Sequence, residues 1–258
     1  MAVPGKAKVP ANAPADLVAR ELFAVDVYLS TFDAEVVEVD REGGRILLSR
    51  TAFFPGGGGQ PYDTGTFTTS SGTLEVSRAK RESGGIWHSV TGDVELPATG
   101  SEVRGELDWD RRHTVMRTHT ALHILCGVIW NEFQIPVTGG NMEVGVGRLD
   151  FPLDAMSVEL GQRIESRINE EIAAAHDIVV EFLGRDLADA DPALIRTAAN
   201  LIPREIDPLR VINIVGLDKQ ADGGTHVLST AEVGRVRVTG TESKGKGNKR
   251  IRIAVEGA

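Results

Sequence analysis

The sequence holds a single cysteine, Cys126, which excludes an internal disulfide and with it the small secreted scaffolds that depend on such bridges. No apolar run approaches the ~18 residues of a membrane-spanning helix, so no membrane partner is predicted. The opening stretch, MAVPGKAKVPANAPADLVAR, lacks the apolar core of a secretory signal and reads as a flexible extension over residues 1–20. These absences together predict a cytoplasmic protein. Positive charge is in deficit: 28 Lys and Arg face 37 Asp and Glu, for a net charge of −9. That balance argues against nucleic acid as a partner of the surface as a whole, but a local patch can outweigh the sum. One such patch is present, in ESKGKGNKRIRI, with Lys244, Lys246, Lys249, Arg250 and Arg252. Glycine is plentiful, at 29 residues, and the 41% hydrophobic content is enough for a sizeable core.

From about residue 22 to 107 the pattern is all-β. AEVVEVDREGGRILLSRT places two apolar-rich runs around Glu42-Gly43-Gly44, and TGTFTTSSGTLEVSRA repeats the arrangement around Ser71-Gly72. Further short strands follow in IWHSVTGDVEL and EVRGELDW, and many short strands with frequent turns predict a small barrel over residues 21–108. The texture changes near Asp108. The segment DWDRRHTVMRTHTALHILCGVIWNEF reads as one long helix, capped by Asp108 or Asp110, with Pro136 just beyond it. A second helix follows from Leu160, Ile164, Ile168 and Ile172, and VINIVGLD, EVGRVRVTG and RIRIAVE read as strands. The class is α+β, with a two-layer second domain over residues 109–258 built on a mainly antiparallel sheet.

Two motifs carry metal chemistry. HTALH sets His119 and His123 four residues apart on one helix face, with Met116, Cys126 and Trp130 alongside. Alone, that pair suits two hydrogen-bonded core histidines as well as two metal ligands. DGGTH adds Asp222 and His226, joined by glycines that can turn both side chains one way. Three histidines and a carboxylate match a zinc site of catalytic type, which uses about three protein ligands and an open position. A third motif, TAFFPGGGGQPYDTG, has four consecutive glycines that let another molecule's backbone approach closely. It lacks the Lys and Ser/Thr of a phosphate-binding loop, so nucleotide binding is rejected.

FFPGGGGQPYDTG, HTALH and DGGTHV followed by ESKGKGNKRIRI, in this order, resemble the AlaX family, freestanding relatives of the alanyl-tRNA synthetase editing domain. The likeness runs from about residue 20 onward and suits the medium-length form, since the long form carries a further C-terminal domain. It implies two domains, one zinc ion per chain, and hydrolysis of tRNA(Ala) carrying a wrong amino acid, chiefly Ser-tRNA(Ala) and also Gly-tRNA(Ala). The family pattern takes two ligands from HxxxH and two from CxxxH. These correspond here to His119, His123 and His226, with Asp222 standing where cysteine is common. Asp222 could bind zinc directly, bind through water, or act as a base. The resemblance further makes Gly57, Gly58, Gly59, Gln60, Lys244, Lys246, Lys249 and Arg250 candidate tRNA contacts.

A synthetase pocket for a small apolar side chain rejects an added hydroxyl by only ~10²-fold, so a second site that demands the hydroxyl is needed. Thr138, in PVTGGN, and Thr120 are candidates for holding it, though each also suits an ordinary loop or helix position. Two rivals remain. A zinc peptidase would carry HExxH, and Thr120 occupies the place of its glutamate. A non-catalytic tRNA-binding module could keep the fold without the activity.

Overall fold

The structure is a computed structural model that describes residues 10, 12–155, 157–197, 202–243 and 247–257. The chain divides into two compact units, Met1–His113 and Thr114–Ala258.

The first unit is a closed antiparallel barrel. Its strands are β1 (Thr31–Asp40), β2 (Arg45–Leu48), β3 (Gly65–Thr69), β4 (Gly72–Glu82), β5 (Gly85–Thr91) and β6 (Glu102–Leu107), arranged β1-β2-β5-β4-β3-β6. Closure leaves no sheet edge unpaired, and a barrel this narrow is filled by its own side chains. The alternation of β6, with Val103 and Leu107 buried between exposed neighbours, shows the period that drives this. Phe53 stands at the centre, with ring centroids 5.9 Å from Phe32, 5.4 Å from Phe67 and 5.6 Å from His88. Gly105 makes room for that cluster, since a Cβ there would lie 2.5 Å from the Phe32 ring. Both predicted hairpins form, β1–β2 and β3–β4. Residues 15–20, read from sequence as part of a flexible extension, instead form helix α1 (Ala15–Arg20). The Arg20 carbonyl accepts a bond from the Thr51 amide at 2.9 Å, and α2 (Leu22–Val25) buries Phe23, Ala24 and Val25. Residues 1–9 and 11 lie outside the described residues.

The long helix α3 (Trp109–Phe133) forms as predicted, with Asp108 accepting from the Arg111 amide at 3.2 Å, and the unit division falls inside it. In the second unit follow β7 (Gly139–Glu143), β8 (Val146–Phe151), α4 (Val158–Ala173), β9 (Ile178–Leu183), α5 (Arg185–Asp189), β10 (Leu209–Ile214), β11 (Asp218–Ala221), β12 (Val236–Ser243) and β13 (Lys249–Val255). Among the described residues the paired strands run antiparallel, but they divide into two sheets, β11-β10-β9 and β12-β13-β8-β7, rather than one. Helix α4 is capped by the Ser157 hydroxyl and buries Ile164, Ile168 and Ile172, each worth roughly 1.5–3 kcal/mol of apolar transfer. Flanking that buried stripe, Asn169 and Glu165 bond the backbone of Val236 and Val238, seating the helix against β12.

Candidate metal centre

Helix α3 presents His119 and His123 on one face, with ring centroids 5.2 Å apart. His226 closes on both, at 4.2 Å from His119 and 4.7 Å from His123. Asp222 completes the group: its Oδ2 lies 3.6 Å from His119 Nε2 and 3.8 Å from His123 Nε2. One donor atom from each of the four residues lies within 4.8 Å of all the others. Tetrahedral donors at ~2.0–2.1 Å from a zinc ion stand about 3.4 Å apart, so the observed separations are close to those a bound ion needs.

The DGG turn is held by charge rather than by glycine strain. Neither Gly223 nor Gly224 has a left-handed φ. Instead Asp222 Oδ1 accepts the Gly224 amide at 2.6 Å, which leaves Oδ2 facing the histidines. The buried guanidinium of Arg210 donates from Nη1 to the carbonyls of Asp222 at 3.0 Å and Gly224 at 2.7 Å. Thr120, fully buried, accepts the Val227 amide at 3.3 Å and so ties the helix to the residue after His226.

The protonation preferences of the cluster follow from its burial and its carboxylates. Burial pushes the His119 ring down to about 4 and His226 well below its ordinary value, so both are neutral with lone pairs to give. Burial also acts to lower His123, but its bonds to Asp218 and Asp222 prevail and push it up to about 9. Burial alone would raise Asp222, yet the neighbouring histidines hold it well below the usual carboxylate range. Neutral imidazoles beside an ionised carboxylate are a donor set that suits a cation. The second indication is His226, 2% exposed, neither of whose ring nitrogens has a hydrogen-bond partner among the described residues. A buried polar atom left so costs about 1–3 kcal/mol, which a metal bond relieves. The donor set, three imidazoles and a carboxylate, suits zinc.

The other candidates fare differently. Thr138 is exposed, its hydroxyl 3.0 Å from both the Asp150 carbonyl and Asn248 Oδ1. Gly57, Gly58 and Gly59 form an exposed left-handed turn closed by paired Gly57–Gln60 backbone bonds, with open space around Gly57 and Gly58. Gln60, next to the turn, is only 3% exposed. Lys249 is buried on the apolar face of β13, its Nζ 3.3 Å from the Ser243 hydroxyl. Arg250 is bound in two-pronged fashion to Asp150, at 2.7 and 2.8 Å. Lys244 and Lys246 lie outside the described residues. Cys126 is a buried core thiol that burial pushes up to about 12, which keeps it protonated at neutral pH, and it is not among the four clustered donors. Sequence reasoning passed over Asp218, Arg196 and Arg210, which are buried charges scattered along the chain with no local spacing to mark them.

No described helix is long and apolar enough to cross a membrane. A family profile of class II (A) tRNA synthetases matches residues 21–111, and one of the second additional domain of threonyl and alanyl tRNA synthetases matches residues 209–252. The alanyl-tRNA editing protein AlaX-M of Saccharolobus solfataricus is 35% identical over 238 residues, covering 92% of this chain and 98% of that protein. AlaX-M of Methanosarcina mazei is 35% identical over 236 residues, covering 89% and 94%. The alanine–tRNA ligase of Pyrobaculum calidifontis is 36% identical over 227 residues, which are 85% of this chain but 25% of the ligase. The match thus spans whole AlaX-M proteins and only a segment of the ligase, and the chain belongs to the AlaX family of alanyl-tRNA editing proteins, enzymes that hydrolyse aminoacyl-tRNA.

Proposed function

We propose that this protein clears tRNA(Ala) carrying a wrong amino acid in the cytoplasm, with Ser-tRNA(Ala) as the chief substrate, Gly-tRNA(Ala) as a second, and one zinc ion per chain. The observation that carries the reading is the convergence of His119, His123, Asp222 and His226 on one partly buried point. Bound there, zinc supplies Lewis acidity for ester hydrolysis, polarising a carbonyl and acidifying water. The three imidazoles hold the ion. Asp222 is its fourth ligand, because Oδ1 is occupied by the Gly224 amide and Oδ2 is directed at the histidines. Arg210 keeps the turn closed and Thr120 keeps it against the helix, so the donors are in place before substrate arrives. The exposed turn at Gly57, Gly58 and Gly59, together with Lys244 and Lys246, contacts the tRNA backbone.

The test is deacylation of Ser-, Gly- and Ala-tRNA(Ala) with and without chelator. Serine should be released at least ~10²-fold faster than alanine, because the first sieve of a synthetase leaves about that much to correct. Chelation should abolish the reaction, and zinc should restore it. Comparable rates on Ser- and Ala-tRNA(Ala) would rule out editing, since the correct product would be destroyed too. Asp222→Ala should weaken zinc affinity and Asp222→Cys should recover much of it. An alanine variant that keeps affinity but loses turnover would make Asp222 a base instead.

A further inference from the structure

We propose that Asp218 is a positioning residue for the metal centre, fixing His123 as the Nδ1–H tautomer so that Nε2 faces the ion. The inference rests on the zinc reading above and goes beyond the four clustered donors.

The Asp218 carboxylate is fully buried and lies on the far side of the His123 ring from the cluster, with Oδ2 at 3.0 Å from His123 Nδ1. Its other contacts are also donors: Arg196 Nη1 at 2.6 Å to Oδ1, and Gln220 Nε2 at 2.7 Å to Oδ2. A carboxylate already taking bonds from an arginine and an amide at these distances is an acceptor, so the ring nitrogen that meets it must carry the hydrogen. That leaves the lone pair of the neutral ring on Nε2, the atom 3.8 Å from Asp222 Oδ2 and on the cluster side. Metal-binding imidazoles are commonly oriented by a carboxylate in this way.

The sequence has built the support for this contact into α3 itself. Arg196 donates from Nε to the Ala193 carbonyl at 3.0 Å and lies 4.8 Å over the Trp130 ring, so a chain runs Trp130–Arg196–Asp218–His123 and begins and ends on one helix. Gly127, between those two helix residues, is what lets the β10–β11 connection come close. A Cβ at Gly127 would meet Asp218 Cβ and Leu217 Cγ at 3.1 Å and the Leu217 carbonyl at 3.2 Å. Asn131, one turn on, donates to that same carbonyl at 3.3 Å. An otherwise unremarked glycine in a long helix is therefore explained by the carboxylate it admits.

Zinc dissociation constants measured by competition with a chromophoric chelator test the proposal on the wild type, Asp218→Asn and Gly127→Ala. Asp218→Asn should still take one zinc per chain, with a dissociation constant about 10- to 100-fold higher. Gly127→Ala should weaken binding by a smaller factor, although alanine is intrinsically the better helix former. Long-range proton–nitrogen spectra of the zinc-loaded wild type should show His123 protonated at Nδ1. An unchanged dissociation constant in folded Asp218→Asn, or a His123 protonated at Nε2, overturns the assignment. Should Asp218→Asn fail to fold because Arg196 is stranded, the wild-type tautomer decides alone. A wild type that takes up no zinc fails the metal reading itself, whereas zinc uptake indifferent to Asp218 fails only this one.

Discussion

Two buried histidines, one in each unit, differ in a way that separates structure from function. His88, inside the barrel, is fully buried, and burial pushes it down to about 4. Both its ring nitrogens are engaged, Nε2 with the Thr51 hydroxyl at 2.9 Å and Nδ1 with the Ile46 carbonyl at 3.4 Å. His226 is as deeply buried and shifted in the same direction, yet neither nitrogen has a partner among the described residues. Burial and a lowered pKa are thus common to both, and they do not mark the site. What marks it is an imidazole buried without a hydrogen bond beside two others and a carboxylate, a state that is costly unless something binds there.

Replacing His226 should give the largest effect. His226→Ala should abolish zinc binding and cut deacylation by far more than the ~100-fold expected of an outer partner. The metal-free fold should change little, since the ring's two unpaired nitrogens are removed along with its packing. Retention of zinc at wild-type affinity would break the comparison. The barrel should behave in the opposite sense. Arg112, fully buried, bonds Asp63, the Val27 carbonyl at 3.0 Å and the Ala52 carbonyl at 2.5 Å. Asp63→Ala strands that guanidinium and should cost about 3–5 kcal/mol, read from the urea midpoint. A loss under about 1 kcal/mol would show that the pair is not structural.

His88 sharpens the comparison through pH. Its folded value, about 4, lies below the ordinary 6.5, so the folded state disfavours the proton. The neutral ring's contribution is fully present above pH 6.5 and is lost as pH falls from there to about 4. The loss amounts to about 3 kcal/mol in total, since each tenfold weakening of proton binding in the folded state is worth about 1.4 kcal/mol. Unfolding free energies of the metal-free wild type and His88→Gln, measured from about pH 7.5 to about pH 4.5, should converge as the wild type weakens. Parallel pH curves would mean that His88 does not titrate with unfolding.

The parts of this molecule that were legible in the sequence are those governed by local pattern. Period-two alternation in EVRGEL and the fourfold spacing of Ile164, Ile168 and Ile172 need only neighbours to declare themselves. The same holds for His119 and His123, which one helix brings together, and for Asp222 and His226, which one turn brings together. Partition of the strands into two sheets was not legible, because it depends on which strands pair across long separations, such as Lys249 with Phe151. Nor was the role of Asp218, since nothing local relates it to His123, 95 residues away. Where the side chains of the basic run point was not legible for a related reason: β13 alternates, so Lys249 turns inward while Arg250 turns out to meet a carboxylate on the next strand.

That last point yields the smallest predicted effect. Arg250 and Asp150 stand directly opposite on β13 and β8, joined at 2.7 and 2.8 Å, and Arg148 adds a third bond to Asp150 at 3.2 Å. An arginine engaged in this way must release its carboxylate before it can neutralise a phosphate, so the exchange gains little. Each phosphate contact contributes roughly 0.7–0.9 to the slope of log affinity against log salt. Arg250→Gln should therefore leave the salt slope of tRNA binding unchanged within about 0.3. Neutralising Lys244 and Lys246 together should, in contrast, flatten the slope by about 1.5, two contacts' worth. A full unit lost at Arg250 would mean that Asp150 gives up its partner to the tRNA, and the pair would then be a latent phosphate site rather than a cross-strand tie. No change on neutralising both lysines would remove the basic run from the tRNA interface altogether.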